Sequence, residues 1–419
     1  MTTGRLRKNI TALFVLQGAN YVLPLIVVPY LVRVLGPENF GRMAFAQAFI
    51  QYFVIFTDYG FNLSATRAVA QIRDDKEALS RLASAVMFVK ICFMSIGFFI
   101  MLGIVFFIPE WRADWELYAL MYMIVVGSVI FPVWLLQGLE KMRYITILSI
   151  ISRIVTTIFI FVLVMEESDY HLAAALQASS MAIAGLALFF VLPRIVSLRW
   201  QWPDFSDICN VVHAGWHVFI ASFAGNVVNS SNVFFLGIVN TPGDVGYFSA
   251  AEKLIRAVQS LIYPVSQAVY PYTSSLLKQS YEKALKFVSK VAKIFSLCAF
   301  ATSSILFIFA NLIVSILYGD GFQISADLVK ILSIIPFLIA INNILGAQVL
   351  VQFGFMKILS VSTIIPMVIH IFLLYFVSMK FGVIGVSFLM IFSETLMLLI
   401  RIFGLSVHHH SLLKTIFFR

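Results

Sequence analysis

Four polar side chains that could form a binding site lie close together in the otherwise apolar stretch 246–272. Glu252, Arg256 and Gln259 follow one another at steps of four and three residues, so they share one face of a helix. Lys253 lies beside them, and the cationic charge exceeds the anionic. A net positive face in a low-dielectric surrounding favours a negatively charged ligand. The alternative is that Glu252 and Arg256 only neutralise each other as an i,i+4 pair.

Other ionisable residues also lie inside apolar stretches, where each costs about 2.5–3.5 kcal/mol at the centre of a membrane helix. Lys90, Arg153 and Glu394 are deep in their stretches and are expected near the middle of the membrane. Asp58 and Arg401 are closer to an end, which favours a structural role for both. We expect Lys90 and Arg153 to contribute to an anion site if they face inward. Glu394 or Asp58 could serve as a proton or sodium site.

The sequence contains an internal repeat, and neutral polar residues lie in the apolar stretches of both halves. The motif PENFG at 37–41 is echoed by PGDVG at 242–246, and QGLEK at 137–141 is echoed by QFGFMK at 352–357. Amides between two repeated halves would suit a sugar-bearing substrate, although interhelical hydrogen bonding is the alternative for any one of them. The amides expected to line the central cavity with the charged residues are Gln47, Gln51, Asn20, Asn226, Asn229 and Gln259.

The elements that must position these residues are membrane helices. Hydrophobic residues make up 61% of the 419-residue chain and charged residues only 12%, against about 25% charged in a soluble domain. This composition excludes a soluble globular enzyme and a disordered chain. The formal net charge of +9 is assigned to loops on one face of a membrane, and no nucleic-acid partner is expected.

Apolar segments of about 20 residues can cross a bilayer core, and they recur along the whole chain. We predict an all-α polytopic membrane protein with 12 transmembrane helices in two pseudo-symmetric six-helix lobes, residues 1–200 and 201–419. Parallel repeats of this kind are a transporter architecture, with the substrate path between the halves. The predicted spans are 11–34, 41–63, 82–108, 117–136, 145–165, 172–193, 211–239, 246–272, 291–317, 328–353, 358–378 and 382–406.

The distribution of Lys and Arg predicts that both termini are cytoplasmic. Nineteen cationic residues fall in loops and tails on the side of the termini and five on the opposite side, as the positive-inside rule requires. No G-x-x-x-x-G-K-[ST] motif is present, so no ATP-driven pump is predicted within this chain. Cys92, Cys209 and Cys298 lie far apart, and neither a metal site nor a cofactor is expected.

Five longer motifs carry a resemblance to a known family. They are QGANYVLPL at 17–25, PYLVRVLGPENFG at 29–41, DYGFNLSAT at 58–66, WLLQGLEK at 134–141 and YPVSQAVYP at 263–271. They resemble the bacterial O-antigen flippases (Wzx type), which belong to the polysaccharide-transport branch of the MATE-like (MOP) exporter superfamily. The resemblance covers essentially the whole chain.

The resemblance implies a V-shaped bundle of two six-helix lobes in the bacterial inner membrane. It implies translocation of an undecaprenyl-diphosphate-linked oligosaccharide from the cytoplasmic to the periplasmic leaflet by alternating access. The O-antigen polymerase and the chain-length regulator are then candidate partners. Under this hypothesis Arg256, assisted by Lys253, holds the diphosphate, and an H⁺ or Na⁺ gradient or removal of the product supplies direction.

Two other functions remain open. A MATE-like ion-coupled exporter of small cationic molecules would need an excess of carboxylates in its cavity, yet Arg and Lys exceed acids five to three inside the predicted spans. A membrane glycan polymerase or ligase would need a catalytic loop at the outer surface. No predicted outer loop is long enough for that.

Overall fold

The chain folds into helices that form two compact units. The computed structural model describes the backbone of residues 3–260 and 262–417, and the side chains of 23–220, 222–223, 230–260, 262, 266–267 and 269–407. This described part contains no strand. The units are Met1–Phe234 and Phe235–Arg419. Their boundary lies inside a helix, and the division at residue 200 stays a prediction.

Unit 1 is built from helices α1 to α9 and most of α10. The last part of α10 belongs to unit 2. Within unit 1, Phe234 of α10 stacks on Phe45 and Phe49 of α1, with ring centroids 5.9 and 6.0 Å apart. The helices are α1 Thr3–Asp58, α2 Phe61–Ile72, α3 Lys76–Phe107, α4 Pro109–Arg112, α5 Trp115–Met121, α6 Met123–Ile130, α7 Val133–Gly138, α8 Met142–Leu163, α9 Tyr170–Ile195 and α10 Phe205–Val239, with a short 3₁₀ turn at Glu167–Asp169.

Unit 2 continues with helices α11 to α16. A π-helical segment, Ile344–Val351, follows α15 directly. Such segments are rare in α-helical proteins and occur frequently at functional sites. The helices are α11 Pro242–Ser260, α12 Ile262–Gln279, α13 Tyr281–Tyr318, α14 Gln323–Leu332, α15 Ile335–Asn343 and α16 Met356–Phe417, with a short 3₁₀ turn at Asp320–Phe322.

Two of the longest helices are interrupted at a glycine. Gly36 in α1 has φ +69° and ψ 175°, which breaks the helix into two segments. Pro37 follows, and proline is well suited to the first position of the next helix. Gly382 in α16 has φ +55°, another conformation that favours glycine. Both glycines lie at or beside a predicted boundary between spans.

Seven helices or runs of helices in the described part are long and apolar enough to cross a membrane. Their apolar surface is widely exposed, as at Phe107 (88%) and Phe190 (77%), which suits lipid rather than water. The prediction of an all-α, multi-pass membrane protein is confirmed, while the count of twelve spans stays a prediction. The seven are Lys76–Phe107, Trp115–Gly138, Met142–Leu163, Glu167–Ile195, Tyr281–Tyr318, Asp320–Val351 and Met356–Val407.

Helices α6 and α9 approach closely because glycines lie in their contact. A Cβ added at Gly127 would lie 2.7 Å from the backbone nitrogen of Ala182, and one at Gly185 would lie 2.6 Å from Cγ2 of Ile130. Small residues at membrane helix contacts allow such close packing. These two helices form part of the wall of the site described below.

Alanine at either of these two glycines is expected to destabilise the protein. Gly127→Ala and Gly185→Ala should each lower the free energy of unfolding by about 1–3 kcal/mol, because the extra methyl overpacks the contact. Gly103→Ala is the matched control, since a Cβ there meets nothing within 4 Å among the described atoms. The measurement is the midpoint of thermal unfolding in detergent. Equal midpoints for all three variants would contradict the close contact.

Candidate functional site

A cavity of about 400 Å³ lies within unit 1, between α1, α6, α8 and α9. Its aliphatic walls include Leu23 and Val27 from α1, Ile124 from α6 and Ile160 from α8. Because residues three, four and seven apart share a helix face, α8 presents several lining residues together. The polar residues that line it are Gln47, Arg153, Thr156, Thr157, Gln177 and Ser180. We refer to this space as the N-terminal cavity.

The described lining of the N-terminal cavity includes one cation, Arg153, and no acidic residue. Gln47, also predicted as a site residue, lies in the same cavity. The structure thus brings together one predicted cation and one predicted amide within a single unit. A guanidinium with neutral hydrogen-bonding groups around it suits an anionic, hydroxyl-rich ligand.

Four residues that the sequence had not singled out also contribute to the polar lining: Thr156, Thr157, Gln177 and Ser180. The side-chain Oε1 of Gln177 is buried and has no hydrogen-bond partner among the described residues. Unpartnered buried acceptors are uncommon and require an explanation. A polar residue within the alanine-rich stretch 173–184 was the available signal, but it is neutral and so did not stand out.

Lys90 lies in a different place from Arg153 and pairs with Asp58. Its side chain is 1% exposed, and its Nζ lies 2.7 Å from Asp58 Oδ1. The Nζ also donates to the carbonyl of Ser128 at 3.2 Å, and Asn62 donates to the other oxygen of Asp58 at 2.9 Å. The pair joins the end of α1 to α3 and α6. Lys90 is not among the described residues that line the N-terminal cavity.

In unit 2, the predicted group on α11 is organised by an ion pair. Arg256 Nη2 lies 2.9 Å from Glu252 Oε1, and the Arg256 side chain is 42% exposed while that of Glu252 is 7% exposed. Lys253 and Gln259 on the same helix are half-buried. The guanidinium is thus partly exposed, while the carboxylate is buried.

Glu394 on α16 lies in a polar cluster of unit 2. Asn342 Nδ2 donates to Glu394 Oε2 at 2.8 Å and to its backbone carbonyl at 3.0 Å. Arg401, which is 6% exposed, donates from Nη1 to the carbonyl of Asn342 and from Nε to Ser362 Oγ at 3.2 Å. Asn342 thus bridges a carboxylate and a guanidinium, beside the start of the π-helical segment.

Four further predicted site residues are Gln51, Asn20, Asn226 and Asn229. Gln51 on α1 is half-buried and is not among the described residues of the N-terminal cavity. The side chains of Asn20, Asn226 and Asn229 lie outside the described residues. Within the described part of the chain, no three His, Cys, Asp or Glu residues form a group that could hold a metal ion.

Comparisons with known proteins identify the family. The model of a family described as polysaccharide biosynthesis protein matches residues 6–277. A candidate O-antigen transporter of Escherichia coli (strain K12) is 34% identical over 93% of this chain and 94% of its own length. A candidate O-antigen transporter of Shigella dysenteriae is 29% identical over 94% of this chain and 98% of its own length.

Solved structures are similar in fold. An inward-facing multidrug resistance MATE family transporter of the MOP superfamily aligns over 97% of this chain and 99% of its own, with TM-score 0.70 and 16% identity. The outward-facing form of such a transporter gives TM-score 0.57 at 16% identity, over 98% and 96% of the two chains. This level of identity supports the MATE-like fold alone. The chain therefore belongs to the polysaccharide biosynthesis protein family, and its fold is similar to that of MATE-like transporters.

Proposed function

We propose that the chain is a flippase for undecaprenyl-diphosphate-linked O-antigen oligosaccharides. It moves them from the cytoplasmic to the periplasmic leaflet of the bacterial inner membrane by alternating access. The single observation that carries this proposal beyond polysaccharide transport is the N-terminal cavity, where Arg153 lies among amides and hydroxyls and no described lining residue is acidic. An exporter of small cations would need the opposite charge.

The proposed membrane arrangement has twelve spans in two six-helix lobes, with both termini in the cytoplasm. The breaks at Gly36 and Gly382 support two spans within α1 and two within α16. The excess of Lys and Arg in the loops and tails on the side of the termini supports the orientation. The polyprenyl tail can then stay in lipid while the polar head passes through protein.

Binding of the head group is assigned to two sets of side chains. Arg256, with Lys253 beside it, is proposed to contact the diphosphate, because Arg256 keeps 42% of its side chain exposed despite its ion pair with Glu252. Gln259 and the amides Asn226, Asn229, Gln51 and Asn20 are proposed to contact sugars. Lys90 is assigned a structural role instead, because Asp58 already neutralises it in a buried pair.

Glu394 is proposed as the site where an ion gradient could act. It is half-buried on a helix that is long and apolar enough to cross a membrane, and it accepts a hydrogen bond from Asn342. An ionisable residue within a membrane helix indicates a functional site by default. Asp58 is less suited to this role because it is paired with Lys90. The proposed partners are the bilayer, the lipid-linked oligosaccharide, the O-antigen polymerase and the chain-length regulator.

Loss of the gene is expected to trap lipid-linked glycan on the cytoplasmic leaflet. Complementation with Arg256→Ala should restore surface glycan only weakly, and Arg256→Lys should restore part of it, because charge is kept without the planar guanidinium. Arg42→Ala is the matched control, since Arg42 also forms an i,i+4 pair, with Glu38, and is 39% exposed. The readout is leaflet-resolved labelling of the lipid-linked glycan, together with surface glycan.

Normal surface glycan in the deletion strain, with no second flippase gene present, would overturn the flippase assignment. An equal loss of surface glycan in the Arg256 and Arg42 variants would overturn the proposed role of Arg256 but not the flippase assignment. Removal of any exposed i,i+4 ion pair would then explain the loss.

A further inference from the structure

We infer that the beginning of α13 binds the head groups of anionic phospholipids in the cytoplasmic leaflet. The site is one exposed side of the helix, which we call the lysine face: Lys283, Lys286, Lys290 and Lys293. The inference goes beyond glycan transport, because the ligand is the bilayer itself and the site is an exposed surface of unit 2.

Packing of the opposite side of α13 fixes the direction of the lysine face. The four lysines follow one another at steps of three, four and three residues, so they share one side of the helix. The other side buries Leu285, Val288 and Ala292 in a hydrophobic cluster with residues of the π-helical segment and of α16. The helix cannot turn its lysines inward without exposing this cluster, so the lysine face points away from unit 2.

The lysine face continues directly into a surface that suits lipid. Leu297, four residues after Lys293, is 69% exposed, and Ile308 further along the same side is 68% exposed. The helix Tyr281–Tyr318 is long and apolar enough to cross a membrane, so its exposed apolar side chains suit contact with acyl chains. Lysines that precede such a surface on one helix lie at the level of the head groups, where their long side chains can reach the phosphates.

The length of the lysine face matches the zone in which the charge of the head groups acts. Lys283 and Lys293 lie about 15 Å apart along the helix axis, at about 1.5 Å per residue. One head-group layer is about 5–7 Å deep, and the Debye length adds about 8 Å at physiological ionic strength. All four lysines can therefore interact with head groups. The orientation proposed above, with the termini in the cytoplasm, places this end of α13 at the cytoplasmic leaflet.

The charge around the lysine face is strongly positive. Residues 278–293 contain five lysines and one acidic residue, Glu282. In the part of the chain that the structure describes, none of the four lysines of the face forms an ion pair. Clusters of roughly four to eight Lys or Arg residues beside a membrane helix attract anionic lipids.

The spacing of the lysines favours several phospholipids over a single diphosphate. The charges of a diphosphate lie close together, whereas the lysines are spread over about 15 Å of helix. Lysine is a point charge on a flexible stem and lacks the planar fork that binds one phosphate in a fixed geometry. The lysine face therefore suits a row of mobile, singly charged head groups, such as those of phosphatidylglycerol.

The test measures binding of phosphatidylglycerol to the purified full-length protein in neutral detergent, with phosphatidylcholine as the zwitterionic comparison. Phosphatidylglycerol is expected to raise the midpoint of thermal unfolding by mass action, because it binds the folded protein. Phosphatidylcholine should raise the midpoint less, and added NaCl should reduce the difference because salt screens exposed charges. Native mass spectrometry counts the lipids that stay bound.

Neutralising the lysine face is expected to weaken binding of phosphatidylglycerol about tenfold or more. Glutamine should be tolerated at all four positions, because the lysines are exposed. Replacement by arginine at the same positions should keep binding, because the charge remains. The quadruple variant is Lys283→Gln, Lys286→Gln, Lys290→Gln and Lys293→Gln.

The matched control removes the same number of charges from other parts of the chain. It should bind phosphatidylglycerol as the unmodified protein does, because these exposed lysines do not share one helix face. The control variant is Lys76→Gln, Lys141→Gln, Lys357→Gln and Lys380→Gln.

Unchanged binding by the quadruple variant would overturn the inference, as would equal stabilisation by both phospholipids. Equal weakening in the control variant would leave only the net charge of the protein as the cause. Equal stabilisation by sodium glycerol 3-phosphate, which carries the phosphate without acyl chains, would make the face a site for soluble phosphate and overturn the inference too.

If the quadruple variant does not yield a monodisperse protein, the double variant Lys290→Gln with Lys293→Gln decides. It is expected to weaken binding of phosphatidylglycerol about threefold or more, and unchanged binding would overturn the inference. None of these measurements depends on glycan transport, so their failure would leave the flippase assignment untouched.

Discussion

Replacing Lys90 by methionine is expected to destabilise the protein strongly, although Lys90 contacts no ligand in the proposed mechanism. The change removes the cation that lies 2.7 Å from Asp58 and leaves a carboxylate in unit 1 with only Asn62 as a described side-chain partner. Removal of one partner of a buried ion pair costs about 3–5 kcal/mol. Because the Asp58 side chain is 27% exposed, the lower end of this range is expected.

Removing the charge of Asp58 as well should recover most of the stability that Lys90→Met loses. The combination of Lys90→Met with Asp58→Asn leaves no unpaired charge, and neutral replacements of buried ion pairs are often tolerated. Lys330→Met is a control of the opposite kind: its i,i+3 pair with Asp327 is partly solvent-exposed, so its loss should cost at most about 1 kcal/mol. The midpoint of thermal unfolding in detergent measures all three variants.

Transport by the double variant separates two roles of Asp58. A structural pair predicts that the double variant is both stable and active in the complementation assay. If Asp58 were the site of ion coupling, the double variant would be stable and inactive. A double variant that is as unstable as Lys90→Met alone would contradict the electrostatic explanation of the loss.

Replacing Arg401 by methionine is expected to have the second large effect. Arg401 on α16 donates to the carbonyl of Asn342 and to Ser362 Oγ. It therefore connects α15 to the first part of α16, which is distant from Arg401 in sequence. Its loss leaves these acceptors unsatisfied and Glu394 without the nearby positive charge. Arg401→Lys should also be destabilising, because one ammonium on a flexible stem does not reproduce the geometry of the guanidinium. Arg401→Met is expected to lower the free energy of unfolding by about 3 kcal/mol.

A variant of Glu394 tests both the stability of this polar cluster and the proposed role of Glu394 in ion coupling. Glu394→Gln keeps an acceptor for Asn342 and removes the charge, so this single variant should change the unfolding midpoint little. Combined with Arg401→Met, it should recover much of the stability that Arg401→Met loses. If Glu394 is the coupling site, Glu394→Gln is folded but inactive in transport. Full transport by this variant would refute the coupling role, and failure of the double variant to recover stability would refute the electrostatic explanation.

Some features of the site were predictable because they depend on residue type and depth along the chain. Ionisable residues within apolar stretches, such as Arg153 and Glu394, were identified as candidates because a membrane excludes unsupported charge. The helix break at Gly36 followed from local chemistry, since glycine accepts positive φ and proline begins a helix well. The family resemblance used the same short-range information.

The partners of these residues were not predictable. Lys90 was expected to contribute to an anion site if it faced inward, and its pairing with Asp58, 32 positions away in the chain, came only from the tertiary structure. Arg401 was assigned a structural role, but its bridge through Asn342 toward Glu394 was not foreseen. Gln177 was missed altogether because a neutral amide in a small-residue helix gives no strong signal.

By itself, the sequence determined that this protein is an all-α membrane protein, which ionisable residues lie within long apolar stretches and where two long helices are interrupted. Only the tertiary structure decided which of those charges neutralise each other and which line a cavity. The physical reason is that a helix that is apolar nearly all round can turn about its axis without exposing a polar face to lipid, so its sequence pattern does not fix its orientation. The direction of each polar side chain is therefore fixed by packing against neighbouring helices.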